Sequence, residues 1–402
     1  MNKEREPMKS SAKNAIMIGT MCSVSYLAVY ITRNVLGVVS PQMIEEGVFT
    51  TEQIGSLSSV YFATYAVGQL INGVIGEKIK SKYMIGVGLV MAGLCNFLFT
   101  VLSDNWYLAY IAYGMTGFFL SMIYAPMTKT VAENTEPIYA TRCSLGYTFS
   151  SFFGSPLAGV LAVLFAWRGA FGASSVALWV MGVLSFVFFS VLERKGIVKY
   201  NQYKKVKEKG GGIRVLIQHR IIKFTMISII TGIVRTTVVF WLPTYFAQYL
   251  GFSSENTSFI YMIATFLISM TTFVAVFLYE KLKRNMDLTI LVSFISASVS
   301  FLLVGLIKNP ICNIILIIVA VMSSNCAAAM LWSRYCPSLR DTGMVSSATG
   351  FLDCVSYMSA AVSSTLFANA VSVIGWGNLI LVWFGLMILG VVVSLPKKEK
   401  KV

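Results

Sequence analysis

Arg33 and Arg235 are the residues whose type and setting point most directly to chemistry. Each lies well inside an apolar stretch long enough to cross a bilayer. Each precedes a proline by eight positions, in RNVLGVVSP and RTTVVFWLP. An arginine in hydrocarbon costs roughly 2.5–3.5 kcal/mol even on the gentler insertion scale, so two at matching depth require a compensating partner. The guanidinium is a planar fork that meets carboxylate or phosphate through two parallel charge-assisted bonds. Two such groups in a low-dielectric site repel each other; a dianion relieves that repulsion and a monoanion relieves half of it. The pair predicts an anion held between two halves of the chain, with a phosphate monoester or inorganic phosphate favoured over a monocarboxylate.

The arginines stand 202 residues apart, half the 402-residue length. Glu52 and Glu255 keep nearly the same offset, as do EKIKSK from Glu77 and EKLKRN from Glu280. Landmarks recurring in order read as two copies of one unit.

Around the arginines, the first span carries Tyr26, Tyr30 and Arg33 on one helical face, and the second carries Tyr65, Gln69 and Asn72 as a polar stripe expected to face inward. Asp353 is the one acid inside a span. It supports three readings: a counter-charge for an arginine, a proton site, or a local hydrogen bond. The plain structural alternative is that each arginine pairs with an acid or a carbonyl and only packs, but Asp353 can serve one arginine and no second acid is available. Glu77 with Lys78, and Glu280 with Lys281, sit in Gly- or Lys-rich turns at helix ends. His219 lies in a basic loop and reads as incidental. The seven cysteines are scattered and lack CxxC spacing, so neither a disulfide framework nor a metal site is expected, and no cofactor.

These residues need a scaffold, and composition names its class. The chain is 56% hydrophobic and 12% charged, about half the charge of a soluble protein. Twelve apolar runs of about 20 residues follow one another, at roughly 15–39, 54–76, 83–102, 106–128, 142–164, 170–192, 221–247, 256–280, 287–307, 310–333, 343–370 and 374–395. An all-α membrane protein of twelve transmembrane helices is predicted, with halves at 1–192 and 221–402 joined by a basic linker at 193–220. The fifth and eleventh spans, rich in Gly, Ser and Ala, suit close helix packing. Of 32 Lys and Arg, 28 fall in the termini and the even-to-odd loops. That bias explains the net charge of +15 without nucleic acid and predicts a multi-pass cell-membrane protein with both termini cytoplasmic. The polar N-terminus leads into an uncleaved first span rather than a signal peptide.

Two six-helix halves with a cytoplasmic linker fit the major facilitator architecture. GVIGEKIKSK resembles the loop 2–3 signature of that superfamily, with Glu77 where the signature usually has Asp, and the resemblance implies a conformational role for Glu77 and Lys78 and, in the repeat, for Glu280 and Lys281. More narrowly, YLAVYITRNVLGVVSPQM, LSSVYFATYAVGQLINGVIGEK and VRTTVVFWLPTYF resemble the organophosphate:phosphate antiporter family, which includes bacterial glycerol-3-phosphate and hexose-phosphate exchangers. The resemblance implies phosphate binding by Arg33 and Arg235 in a pocket lined by Tyr26, Tyr30 and Tyr65. The chain departs from the glycerol-phosphate member at Gln69, where that protein has a lysine, and near Phe149, where it has a histidine; Asp353 is an addition. A related family of proton-coupled sugar-acid symporters usually shows an acid just before its first-span arginine, where this chain has Thr32.

The leading expectation is a secondary transporter that exchanges a phosphorylated metabolite for inorganic phosphate by rocker-switch alternating access, acting as a monomer. The alternatives are a proton-coupled symporter of an organic carboxylate, with Asp353 as proton site, and a transporter-like sensor. No nucleotide loop, metal cluster or catalytic carboxylate pair suggests an enzyme.

Overall fold

The computed structural model describes residues 5–76, 79–200, 217, 219–339 and 345–395, and these are helical almost throughout. The first part of the chain forms α1 (Arg5–Glu45), α2 (Thr51–Ile75), α3 (Ser81–Val101), α4 (Trp106–Leu120), α5 (Tyr124–Asn134), α6 (Pro137–Leu164) and α7 (Trp167–Arg194). The second opens with α8 (Ile221–Gly232), a π-helical turn (Ile233–Val238) and α9 (Val239–Gln248). It continues through α10 (Ser254–Ser269), α11 (Thr271–Lys281), α12 (Met286–Leu306), α13 (Pro310–Met330), a second π turn (Leu331–Tyr335) and α14 (Val345–Ser394).

Among the described residues, nine helical stretches are long and apolar enough to cross a membrane. One of these is α14, which holds two spans separated at Gly375, where φ of 72° breaks the helix. With α2 and α6, whose apolar part Phe153–Leu164 is shorter among the described residues, the twelve spans of the sequence are accounted for. The sequence reading gave one uninterrupted helix at 106–128 and another at 256–280. Each of these spans is formed by two successive helices, α4 with α5 and α10 with α11.

Asparagine marks several of the starts. Asn105 accepts from Tyr107 N at 3.1 Å and Leu108 N at 3.3 Å, Asn285 accepts from Leu288 N at 3.0 Å, and Asn309 accepts from Ile311 N at 3.0 Å. Each satisfies backbone donors that a helix N-terminus leaves unpaired, which matters more where water is scarce.

The chain forms two compact units. Unit 1 takes the described residues within Met1–Thr50, Ser56–Val206 and Ser253–Met262; unit 2 takes those within Thr51–Gly55, Lys207–Phe252 and Ile263–Val402. In unit 1, Asn96 of α3 donates to Phe171 O at 3.2 Å and to the Ser174 and Ser175 hydroxyls at 3.0 and 2.9 Å, tying α3 to α7. Ser25 of α1 and Ser185 of α7 share a hydroxyl bond of 2.8 Å. At the end bearing the basic loops, Glu193 holds Lys80 at 2.7 Å and Lys82 at 2.6 Å. In unit 2, Asp287 holds Arg220 at 2.9 Å and Lys223 at 3.0 Å. Most of the predicted linker lies outside the described residues. Its first part docks where Asn134 exchanges two hydrogen bonds with the Lys199 backbone, at 2.7 and 3.0 Å.

Candidate functional site

Arg33 of α1 is 9% exposed and sits against three aromatic rings of unit 1. Its Cζ lies 5.2 Å from the ring centre of Tyr30, 5.2 Å from that of Phe62 and 5.8 Å from that of Tyr65. Helical spacing does the positioning: Tyr30 is one turn before Arg33 on α1, and Phe62 and Tyr65 are three residues apart on α2. A desolvated cation–π contact is worth up to about 2 kcal/mol, so the rings offset much of the cost of burying the guanidinium.

The aromatic surface extends on both sides. Tyr26 lies 5.0 Å from Tyr30, 5.5 Å from Tyr124 and 6.4 Å from Tyr147. Tyr65 stacks on Tyr61 at 6.3 Å, and Tyr61 meets Tyr113 at 5.2 Å. Gln69 is half-buried one turn beyond Tyr65. Asn72, the next residue of the stripe expected to face inward, is buried, and its Nδ2 donates to Ser121 Oγ at 2.8 Å. Gly68 allows that contact, since a Cβ there would stand 3.1 Å from Ser121 Cβ. The Phe149 side chain lies outside the described residues, as do Glu77 and Lys78.

Arg235 is held differently. It is the third residue of the π turn, a wide turn that re-aims side chains and is common at functional sites. The turn is pinned to α14. Thr237 Oγ1 donates to Ala360 O at 3.2 Å and shares a hydroxyl bond of 2.8 Å with Ser363. Below it, Gly232 packs on Ser356, where a Cβ would come within 2.9 Å of the Ser356 carbonyl oxygen. The half-buried Arg235 side chain points its Cζ 6.0 Å from the ring centre of Tyr357. Beyond the turn, Tyr245 of α9 donates its hydroxyl to Asn313 Oδ1, which holds α9 against α13.

Asp353 is half-buried on α14, one turn before Tyr357. Ser228 Oγ donates to Leu352 O at 2.8 Å, which sets Asp353 level with residue 229 of α8. Arg235 stands six residues further on, about 9 Å along the axis at 1.5 Å per residue. Tyr357 lies between them. Glu280 and Lys281 are exposed at the end of α11. Tyr335 donates to the His219 carbonyl at 3.1 Å, a contact with its backbone. No group of His, Cys, Asp and Glu among the described residues has a metal-binding arrangement.

Sequence reasoning missed Phe62, Tyr357 and the π turn. Phe62 had a signal, its three-residue spacing from Tyr65. Tyr357 had a weaker one, one turn after Asp353, and the π turn had none.

A Major Facilitator Superfamily profile matches residues 22–364. The chain is similar to the membrane sensor protein UhpC of Salmonella typhimurium, 27% identical over 96 residues, 24% of this chain and 22% of that protein. The matched stretch thus spans about a fifth of the sensor's length. Similarity to the phosphoglycerate transporter protein of Salmonella typhimurium is longer, 22% identity over 386 residues, 88% of this chain and 82% of that one. The probable hexose phosphate transport protein of Chlamydia trachomatis is 23% identical over 165 residues, 40% of this chain and 36% of that one. Among solved structures, a bacterial homolog of the human lysosomal transporter Spinster superposes with a TM-score of 0.73 at 10% identity, covering 94% of this chain and 95% of that one. The D-xylose-proton symporter superposes with a TM-score of 0.67 at 15% identity, covering 98% and 99%. These two likenesses show the fold. With the profile covering most of the twelve-span architecture, the chain belongs to the Major Facilitator Superfamily.

Proposed function

We propose that this transporter exchanges a phosphorylated metabolite for inorganic phosphate by alternating access. The observation that carries the reading is the pair of membrane-embedded arginines at one repeat position, Arg33 in its aromatic cage and Arg235 on its wide turn. Arg33 and Arg235 take the anion's charge; Tyr26, Tyr30, Tyr65 and Gln69 line the pocket. Asp353 balances the positive charge when no anion is present. Glu77, Lys78, Glu280 and Lys281 act at the helix ends as the conformation changes, with 1–192 and 221–402 as the moving halves and 193–220 as connector. The basic loops put both termini in the cytoplasm of a cell whose plasma or inner membrane the chain crosses as a monomer. Relatives that carry phosphoglycerate and hexose phosphate support a phosphorylated cargo.

A second reading has its own support: the stretch similar to UhpC favours a sensor that binds its ligand without moving it. A single experiment separates these. Proteoliposomes loaded with unlabelled phosphate are presented with labelled phosphate and no pH gradient. Uptake that Arg33→Lys abolishes supports exchange. Binding of phosphate without uptake favours the sensor. Absence of both, with sugar-acid uptake under a proton gradient, moves the assignment to a symporter that uses Asp353.

A further inference from the structure

Unit 2 contains a crevice of about 340 Å³, walled by Val274 and Leu278 of α11, Val292 of α12, and Val319 and Met322 of α13. Its floor is polar. Ser293, Ser296 and Ser323 line it, and the last two share a hydroxyl bond of 3.0 Å. Ser293 is 1% exposed, and its hydroxyl has no hydrogen-bond partner among the described residues. A buried hydroxyl without a partner is costly, most of all in hydrocarbon, so it marks a place where a ligand acceptor fits. The mouth is formed by Val274 and Val319, 41% and 40% exposed on the membrane-facing surface, so an occupant enters from the bilayer.

Cations gather at the same corner. Lys281 is one turn after Leu278 on α11 and shares its face. Lys283 and Arg284 follow in left-handed conformations, φ 56° and 57°, which fold the chain tightly into α12. From the neighbouring π turn, the exposed Arg334 lies with Cζ 4.5 Å from the ring centre of Tyr279. Depth is consistent with a lipid. Ser293 is seven residues into α12, about 10 Å below its start, and the interfacial layer above the hydrocarbon is about 5–8 Å deep. With the start of α12 taken as the outer edge of that layer, Ser293 stands just below the level of lipid ester groups.

We propose that this corner of unit 2 binds one anionic phospholipid. Its phosphate meets Lys281, Lys283, Arg284 and Arg334, an ester carbonyl accepts from Ser293, and one acyl chain fills the crevice. Basic pockets between transmembrane helices bind anionic head groups by the same electrostatics. The site does not depend on the transport reading.

The test uses the full chain in nanodiscs of phosphatidylcholine and phosphatidylglycerol in equal amounts, then detergent extraction, with retained lipid counted by mass spectrometry. The wild type is expected to retain about one phosphatidylglycerol per chain and at least tenfold less phosphatidylcholine. Val319→Trp, which fills the crevice, and the Lys281→Gln, Lys283→Gln, Arg284→Gln triple variant are each expected to lower that retention at least tenfold. Should the triple variant fail to fold, Arg334→Gln with Ser293→Ala, expected to lower it several-fold, replaces it. Equal retention of the two lipids by the wild type, or retention unchanged in the folded variants, overturns the proposal.

Discussion

Gly154 of α6 packs directly on Tyr30 of α1, so closely that a Cβ on the glycine would stand 2.8 Å from the Tyr30 carbonyl carbon. Moving both positions on by 202 residues gives Gly232 and Ser356, which meet in unit 2 with a built Cβ 2.9 Å from the Ser356 carbonyl oxygen. Both copies therefore cross their helices at one place, three residues before the arginine, and each puts a glycine on a different partner. Ordinarily Gly→Ala in a helix gains about 0.5–1 kcal/mol of propensity. Here the added methyl meets backbone. Gly154→Ala and Gly232→Ala should each lower stability, by about 1–3 kcal/mol as overpacking does, read as a lower unfolding temperature in detergent. A neutral or stabilising result would show that the helices separate without cost.

The two arginines should not respond alike to lysine. Arg33 is held over three rings and Arg235 near one, so Arg33→Lys removes more than a bidentate fork. We expect phosphate counterflow to fall at least tenfold in both variants, with a larger loss of affinity for Arg33→Lys. Near-normal counterflow in either variant would take that arginine out of the anion site.

Asp353→Asn separates charge balance from proton coupling. A counter-charge predicts altered affinity for the anion with exchange retained. A proton site predicts that pH-driven uptake disappears while exchange survives. Uptake whose pH dependence matches the wild type would exclude the proton role.

Glu193 has its carboxyl pKa lowered, first by the hydrogen bond from Lys80 and then by that from Lys82. A lowered pKa stabilises the fold above the ordinary Glu value of about 4.3, and the contribution vanishes as pH falls through the folded-state value. Because the network is partly exposed, it is worth about 1 kcal/mol or less. Unfolding temperatures of the wild type and Glu193→Gln should differ at pH 7 and converge once the pH falls below the lowered folded-state value. A gap that persists in acid would assign the effect to packing of Lys82, which also lies 5.7 Å from the Phe186 ring.

Much of this was legible in the chain itself. Length and hydropathy located the spans, because a bilayer demands about 20 apolar residues whatever their partners. The arginines were legible because charge in hydrocarbon is conspicuous, and Tyr30 and Tyr65 because helical spacing brought them toward an arginine or along a stripe. For Asn72 spacing named the buried face but not what it meets: a face can meet a neighbouring helix as well as a cavity. Ser121 decided the matter from 49 residues away. Phe62 and Tyr357 belonged to a background of many aromatics, and only tertiary contact singles them out. The π turn was silent because hydropathy at 100° per residue does not register one residue of slack.

That turn has a consequence for symmetry. From Tyr30 to Pro41 and from Gly232 to Pro243 the residue count is identical, 11 in each copy. In α1 those residues lie on an unbroken helix, whereas in the second copy they pass through Ile233–Val238. A wide turn retards the winding by about one residue, near 100° of rotation. The copies therefore agree in count and disagree in phase: beyond Arg235 each residue of α9 faces a different compass direction from its counterpart on α1. Over this stretch the two copies have become non-equivalent helices without either gaining or losing a residue.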